Sequence, residues 1–439
     1  MPRSARPRNI FVGTSEAGGF VASLAEGFRA LGHPTTTGLC YGLTHYDYEY
    51  DIPLGRIVDA VDWRAIERRM LSPDPRVPEE VTDASSPTDV VLWLLGTHDV
   101  FVFMYTSLWH DTPSDDDPFA MGIGREFKLL KRLGKKVVAI ATGFDMRHGP
   151  ALDQQLARVG HRGPSVAEAL PSSGRAPLAR ALRNLRRAER WADLVVSQPN
   201  MSSLAVRPYM HLFAPVDARG VEWRVPGREV PVVVHAPTHF ESKGTDHLVR
   251  ALGALRVRGV PFTLRLFQGL SHAELMREMR DADVVVDQFH MPHGCVGAEA
   301  MASGSALATC DDRALEPWPP ERPVWHIDPE TAQPQLEALL GDRALRVRLG
   351  REGRRHALKH HDRVAVARSI LKRLDQGPDA PMEHRPEFFA REYRLPEGET
   401  ISPRLQKMTA RIIERWGLPE GVDRRDLVER GLCAALDGA

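Results

Sequence analysis

Lysine is scarce in this chain: of 439 residues and 58 basic side chains, only eight are lysine. A lysine at a strand–loop–helix junction therefore stands out. Cysteine is scarce too. Cys40, Cys295, Cys310 and Cys433 form no C-x-x-C pair, which excludes a disulfide framework. Net charge is missing, with 58 basic and 58 acidic residues. A dedicated nucleic-acid binder needs a basic excess to displace phosphate counterions, so no nucleic-acid partner is expected. Long apolar runs are missing as well. Val90–Leu95 and Val100–Met104 fall far short of the roughly 20 residues that span a bilayer. The basic start, Met1 to Arg8, leads into no apolar signal core. The expectation is a cytoplasmic protein, with peripheral contact at the inner membrane face as the lesser reading.

What is present is an ordinary globular composition, 42% hydrophobic and 26% charged, in a chain long enough for two or three domains. Short unbroken apolar runs alternate with helical periodicity. Ile10–Val12, Val100–Phe103, Val137–Ile140 and Leu194–Val196 read as strands of a first half, and Val232–Val234, Leu264–Phe267, Val284–Val286 and Leu307–Thr309 as strands of a second. Strands without polar alternation, separated by helices, imply parallel sheets covered on both faces. The fold class is α/β, with two doubly wound Rossmann-like domains facing a cleft. The expected boundaries are 1–217 for the first domain, 218–231 for a linker, 232–379 for the second domain, and 380–439 for a helical tail. Open parallel sheets bind ligands at the carboxyl ends of their strands, which places the site in the cleft.

Two blocks at such strand ends carry the chemistry. His235-Ala236-Pro237-Thr238-His239-Phe240-Glu241-Ser242-Lys243-Gly244-Thr245-Asp246 reads as a strand end, a loop, and a helix opening near Thr245. Backbone N–H groups at a helix start attract an anion, and Lys243 adds a full charge. An ordinary βα turn with a surface lysine is the alternative. The second block is Asp283-Val284-Val285-Val286-Asp287-Gln288, then Gly294-Cys295-Val296-Gly297-Ala298-Glu299-Ala300-Met301-Ala302-Ser303-Gly304. Glycine allows close backbone approach to a ligand. Glu299, placed in the first turn of a helix from Gly297, either accepts from a ribose diol or merely complements the helix dipole.

Together these blocks resemble the group 1 glycosyltransferases of the GT-B class. The order K-G-T-D, helix, strand, A-D-V-V-V-D-Q, G-x-x-G-x-E-A-M-A-x-G runs from Val232 to Cys310. Gly18-Gly19 resembles the N-terminal glycine loop, Gly143–Arg147 a G-x-D-x-R segment, and Trp191–Ser197 the last strand of the first domain. The resemblance implies transfer of a sugar from a nucleotide sugar to a glycan, lipid-linked or small-molecule acceptor. It implies retention at the anomeric carbon, no metal, and no cofactor beyond the donor as substrate. By position it makes Lys243 and Glu299 the catalytic pair, for diphosphate and ribose. Gly18, Gly19, Thr238, Gly244, Asp287, His293, Gly294, Cys295, Val296 and Gly297 complete the donor site. Asp145, Arg147 and His148, after a buried strand, are acceptor-side candidates.

Two departures stand against that pattern. Eight residues before Glu299, where a carboxylate is expected, the chain has Met291; His290, His293 or Asp287 would have to substitute. Where an arginine is expected before Lys243 stand Pro237 and Thr238. These losses motivate the alternative of a non-catalytic nucleotide- or sugar-binding scaffold; an epimerase or phosphorylase on the same fold is a third reading. Asp115-Asp116-Asp117 contains D-x-D but reads as a solvated acidic loop. His360-His361 reads as exposed helix without zinc-ligand spacing. Tyr46–Tyr50 reads as a packed loop rather than a sugar-stacking one. The amphipathic, arginine-rich helix Leu178–Trp191 either packs on its domain or rests on an anionic membrane.

Overall fold

The computed structural model describes residues 6–16, 18–41, 48–54, 61–82, 84–104, 125–141, 143, 146–158, 177–313 and 316–435. In the first half, strands β1 (Ile10–Ser15), β2 (Thr35–Tyr41), β3 (Ile52–Pro53), β4 (Val100–Met104), β5 (Lys136–Ile140), β6 (Leu194–Ser197) and β7 (Met210–His211) form one parallel sheet. Its order is β3-β2-β1-β4-β5-β6-β7. β1 and β4 are buried along their whole length, as strands covered on both faces must be. One face packs Phe11, Phe101, Phe103 and Val137, and the other Ile10, Val12, Val102 and Ile140.

The second half contributes β8 (Val232–His235), β9 (Thr263–Leu266), β10 (Val284–Val286), β11 (Ala306–Thr309) and β12 (Val324–His326), in the order β12-β11-β10-β8-β9. All four pairings are parallel. Two doubly wound sheets are therefore present, as expected. The same small device registers both. Asp193, one residue before β6, accepts from Val137 N of β5 at 2.8 Å, and Asp283, one residue before β10, accepts from Val232 N of β8 at 3.0 Å. The segment read as a linker clamps this second device, because Gly227 N and Arg228 Nη1 also donate to Asp283 at 3.1 and 3.0 Å.

The chain leaves the first half through Phe213–Val216 and returns through a π-helical turn, Ala357–His361. The two crossings touch: Val216 N donates to His361 O at 2.8 Å and Arg363 N to Val216 O at 2.9 Å. Helix Arg363–Gln376 then joins the core of the first sheet through Val366, Ile370 and Leu374. It lies so close to helix Phe20–Ala30 that a Cβ on Gly27 would sit 2.2 Å from the Arg363 carbonyl oxygen. The return thus precedes the expected boundary at 379, because this helix buries its apolar face on the first sheet.

The tail is not separate from the domains. Phe388, Phe389, Tyr393, Leu405, Met408, Ile412 and Leu427 lie in the same core as Leu178, Leu182 and Leu185. Helix Pro403–Trp416 covers helix Leu178–Trp191, whose buried Arg186 donates to Thr409 Oγ1 at 2.7 Å and to Leu204 O at 2.9 Å and pairs with Glu189. Arg183 and Arg187 are also buried. That arginine face is occupied by protein, which removes the membrane-resting reading of this helix. Among the described residues no helix is long and apolar enough to cross a membrane.

Candidate functional site

Each sheet reverses its strand order once, and ligand crevices form where the flanking loops diverge. In the first sheet this point lies between β1 and β4, where Glu16, Gly18 and Gly19 lead into helix Phe20–Ala30. In the second it lies between β8 and β10, where the Thr238–Lys243 and Asp287–Gly294 loops begin. Loops at the two carboxyl ends approach each other, the Tyr48 ring of the first half standing 6.1 Å from the His272 ring of the second.

At β8 the strand end is stiffened by a buried histidine. His235 Nδ1 donates to Val286 O of β10 at 2.8 Å, so Nε2 accepts from Thr245 Oγ1 at 2.9 Å. Burial outweighs that carbonyl contact and holds the ring below its ordinary pKa, neutral. A short helix, Phe240–Lys243, runs into helix Thr245–Val257 at Gly244, which has φ 72°. The N–H groups of Lys243 and Gly244 are already bound to His239 O and Glu241 O. Helix Thr245–Val257 nevertheless opens where expected, at Gly244 with no side-chain cap, and among the described residues no acceptor meets the N–H groups of Thr245 and Asp246. Thr238 is exposed on this loop, Gly244 is buried, and a Cβ on Gly244 would lie 2.8 Å from Phe289.

Lys243 reaches Asp287 instead. Its Nζ lies 2.8 Å from Asp287 Oδ1, while Oδ2 accepts from Gly294 N at 3.0 Å. Asp287 is thus the pin between the two loops. It is committed to Lys243 and Gly294, and the role of substitute for a sugar-binding carboxylate falls away. Helix Cys295–Ala302 begins at Gly294 with no side-chain cap. Among the described residues no acceptor meets the N–H groups of Cys295, Val296 and Gly297. A cation and an uncapped helix start therefore adjoin, the combination that suits a phosphate. Gly297 has no room for a side chain, since a Cβ would lie 2.4 Å from His293 Cβ.

Glu299 is the fifth residue of this helix, two positions later than expected and past its first turn, so complementing the dipole at the first turn is not its role. It is 5% exposed. Its Oε1 accepts from His272 Nε2 at 2.6 Å, and its buried Oε2 has no hydrogen-bond partner. Burial opposes a charged His272, but the hydrogen bond and charge of Glu299 prevail and hold its pKa above the ordinary value. From the opposite half, the Tyr48 ring stands 6.1 Å from the His272 ring. Burial, then the charges of Glu299 and Glu16, raise the Tyr48 pKa to about 12. Tyr48 also fills the space that a Cβ on Gly19 (φ 76°) would enter, 2.8 Å away. Glu16 caps the helix after Gly19 by accepting from Val21 N at 3.2 Å, and takes the Tyr50 hydroxyl at 2.7 Å. Burial and the same carboxylates push the Cys295 thiol up, so it stays protonated.

Sequence reasoning does not single out His272, and it reads Tyr48 as part of a packed loop rather than a sugar-stacking one. For His272 the available signal was Ser271-His272-Ala273-Glu274, a capping box that fixes where its helix begins.

The acceptor-side candidates separate. Asp145 lies outside the described residues, as do Asp115–Asp117, Tyr46 and Asp47. Arg147 binds Asn200 through O and Oδ1 at 3.2 and 2.7 Å, and Asn200 in turn donates to buried Glu316 of the second half. Arg147 is thus a strut between the halves. His148 is buried beneath the tail, 3.6 Å from Glu399, and burial lowers its pKa to about 4. It does not line an open cleft.

Two apolar and aromatic contacts close the cleft's base. Met291 is 8% exposed and packs on Leu152 and Leu156 of the first half. His360 and His361 are not exposed helix residues: His361 is buried and His360 half-buried, and both lie against Phe213 at the crossing. His361 Nδ1 donates to Ala214 O at 3.1 Å, and its Nε2 faces His293 Nε2 at 3.5 Å. No group of three or more potential metal ligands occurs among the described residues.

No family model matches the chain, and no curated protein matches it. Among solved structures it is similar to Anabaena HepE in complex with UDP and glucose, at 12% identity and a TM-score of 0.46, covering 84% of this chain and 100% of that one. It is also similar to an alpha-glucosyltransferase in complex with UDP and a DNA 13-mer, at 14% identity, TM-score 0.47, and 84% and 99% coverage. AviGT4, a glycosyltransferase involved in avilamycin A biosynthesis, is similar at 13% identity, TM-score 0.45, and 84% and 98% coverage.

Proposed function

We propose that the chain is a glycosyltransferase that moves a sugar from a nucleotide-sugar donor to a glycan, lipid-linked or small-molecule acceptor, with retention and without a metal. One observation carries the reading. A lysine, an uncapped helix start and a buried carboxylate with an unsatisfied oxygen converge where two strands diverge. Lys243 and the N–H groups of Cys295 to Gly297 take the donor diphosphate. Glu299 Oε2 takes a ribose hydroxyl. Gly18 and Gly19, having no side chains, let the opposite half close over the bound molecule.

In the reaction the bond from the anomeric carbon to the diphosphate oxygen breaks as the acceptor hydroxyl oxygen bonds to that carbon on the same face. The hydroxyl proton passes to the departing phosphate oxygen. No enzymatic carboxylate nucleophile is needed, and the protein's contribution is placement plus charge stabilisation of the leaving diphosphate. Replacing Lys243 by alanine should lower turnover by about 10²-fold or more, the scale of losing one transition-state charge contact. Near-normal turnover by a folded Lys243→Ala enzyme refutes the role.

Met291 favours a second reading, a scaffold that binds nucleotide sugars without transfer. It puts a thioether where the resemblance implies a sugar-binding carboxylate, and turns that thioether to Leu152 and Leu156. Mass spectrometry of wild-type protein incubated with UDP-, GDP-, ADP- and dTDP-sugars and an acceptor panel separates the two. Binding with neither transfer nor donor hydrolysis selects the scaffold.

A further inference from the structure

Glu299 does not stand alone. His272 holds one of its oxygens at 2.6 Å, and the other, buried, has no hydrogen-bond partner. His272 is itself held firmly. It is the first residue of helix His272–Asp281, capped by Ser271, whose N and Oγ both donate to Glu274 Oε2 at 2.9 and 2.7 Å. On its outer side lies Tyr48, backed by Gly19. Gly19, Tyr48, His272 and Glu299 thus form one column across the cleft, from one half to the other.

We propose that His272 is the positioning residue of the nucleotide site and Tyr48 its cover from the opposite half. His272 orients Glu299 so that Oε2 is offered to a ribose hydroxyl, its imidazolium adds positive charge beside the phosphates, and Tyr48 closes over the pair. This rests on the nucleotide reading above. Glu299 from helix Cys295–Ala302 and Tyr48 from the first half face His272; Tyr48 in turn faces Glu16, Cys295 and Arg363. With its proton favoured by Glu299, His272 is charged over more of the neutral range than a free histidine. An anionic nucleotide raises its proton affinity further, so binding takes up a proton and weakens as pH rises.

The test is calorimetric titration of the full chain with UDP, GDP, ADP and dTDP from pH 6.0 to 8.5. For the nucleotide that binds, wild-type affinity should fall roughly tenfold across this range, the worth of about one unit of coupled pKa. His272→Gln keeps a donor for Glu299 but has no charge. It should match wild type within about twofold at pH 8.5 and lose the fall attributable to His272. Tyr48→Ala should weaken binding roughly three- to tenfold at every pH, the worth of an aromatic face. A His272→Gln profile parallel to wild type overturns the positioning role, and unchanged affinity in Tyr48→Ala overturns the cover. If His272→Gln does not fold, His272→Lys, which keeps the charge, decides: affinity independent of His272 titration supports the role, and a wild-type fall overturns it. If no nucleoside diphosphate binds wild type at any pH, the nucleotide reading fails, and this inference with it.

Discussion

A methionine at position 291 turns its side chain away from the polar cleft and into contact with Leu152 and Leu156, making a small apolar latch between the halves. Truncating it leaves a cavity that surrounding side chains fill only partly. Met291→Ala should therefore cost about 2 kcal/mol of unfolding stability, at the low end for a buried methionine because the latch is small. Urea denaturation checks this, and an unchanged midpoint means that the latch bears no load. Met291→Glu does not restore a sugar-binding carboxylate, because the new charge has to desolvate against two leucines or leave the latch. Motif spacing alone singles out Lys243 and Glu299 as candidates, since glycine loops and strand ends mark where an open parallel sheet can take a ligand. It does not reveal what those residues touch. Lys243 pairs with Asp287, 44 residues on, and Glu299 with His272, 27 residues earlier, on another helix. Such pairings depend on where loops turn after parallel strands, and no local pattern encodes that.

At the scale of elements, the aspartates that precede β6 and β10 do what hydrogen bonding within a single strand cannot, fixing the level of one strand against its neighbour. Asp283 is fully buried and receives Val232 N, Gly227 N and the Arg228 guanidinium. Burial works against its charge, but these donors prevail and hold its carboxyl below the ordinary pKa. Its stabilisation is accordingly present above the unfolded-state pKa and is lost as pH falls through the folded one. Asp283→Ala strips all three donors of their acceptor and should cost about 3 kcal/mol, as breaking a buried charged contact does. Chemical denaturation measures it, and a loss below about 1 kcal/mol would show that water replaces the carboxylate. The element pattern itself was largely legible. The strands read from short apolar runs, β1, β4, β5, β6, β8, β10 and β11, stand where those runs predict. β2 escaped because it opens on the polar Thr35-Thr36-Thr37-Gly38 and reaches Leu39-Cys40-Tyr41 only at its end, although Thr37 is buried and Gly38 pairs with Gly13. β3, β7 and β12 have two or three residues each, too few for any periodicity. Helix Cys295–Ala302 starts two residues before its expected glycine because Gly294, not Gly297, takes the cap position.

For the whole molecule, order along the chain and placement in space diverge after Asp362. Helix Arg363–Gln376 and the tail return to the first half, and their apolar faces complete cores begun some 200 to 350 residues earlier. Nothing local to residues 380–435 states which sheet they will cover, so the tail's place was unreadable. The return passes through a hinge packed with imidazoles. His356, His360 and His361 lie around Phe213 with His211, His293 contacts His361, and His384 shares a 2.9 Å hydrogen bond with His211. Burial, then in several cases neighbouring imidazoles and cations, lowers every one of these pKa values. His360, His361 and His384 fall to about 4 and His356 to about 2, while His211 and His293 fall well below normal. The unfolded chain takes up these protons near pH 6.5, and the folded chain does not. Folding stability is therefore fully present above that pH and lost progressively as pH falls toward 4, at about 1.4 kcal/mol per pH unit for each proton. Urea unfolding between pH 7.5 and 5.0 should show a slope of at least two protons at the acid end, and His360→Asn should make it shallower. A midpoint constant over that range would mean that the hinge admits water and charge freely. This dependence opposes the one proposed for a nucleotide site at Glu299, where acid would strengthen binding through His272. A binding-competent, folded population should then peak near neutrality, with its acid limb set by the hinge and its alkaline limb by His272, so that His360→Asn moves only the first and His272→Gln only the second.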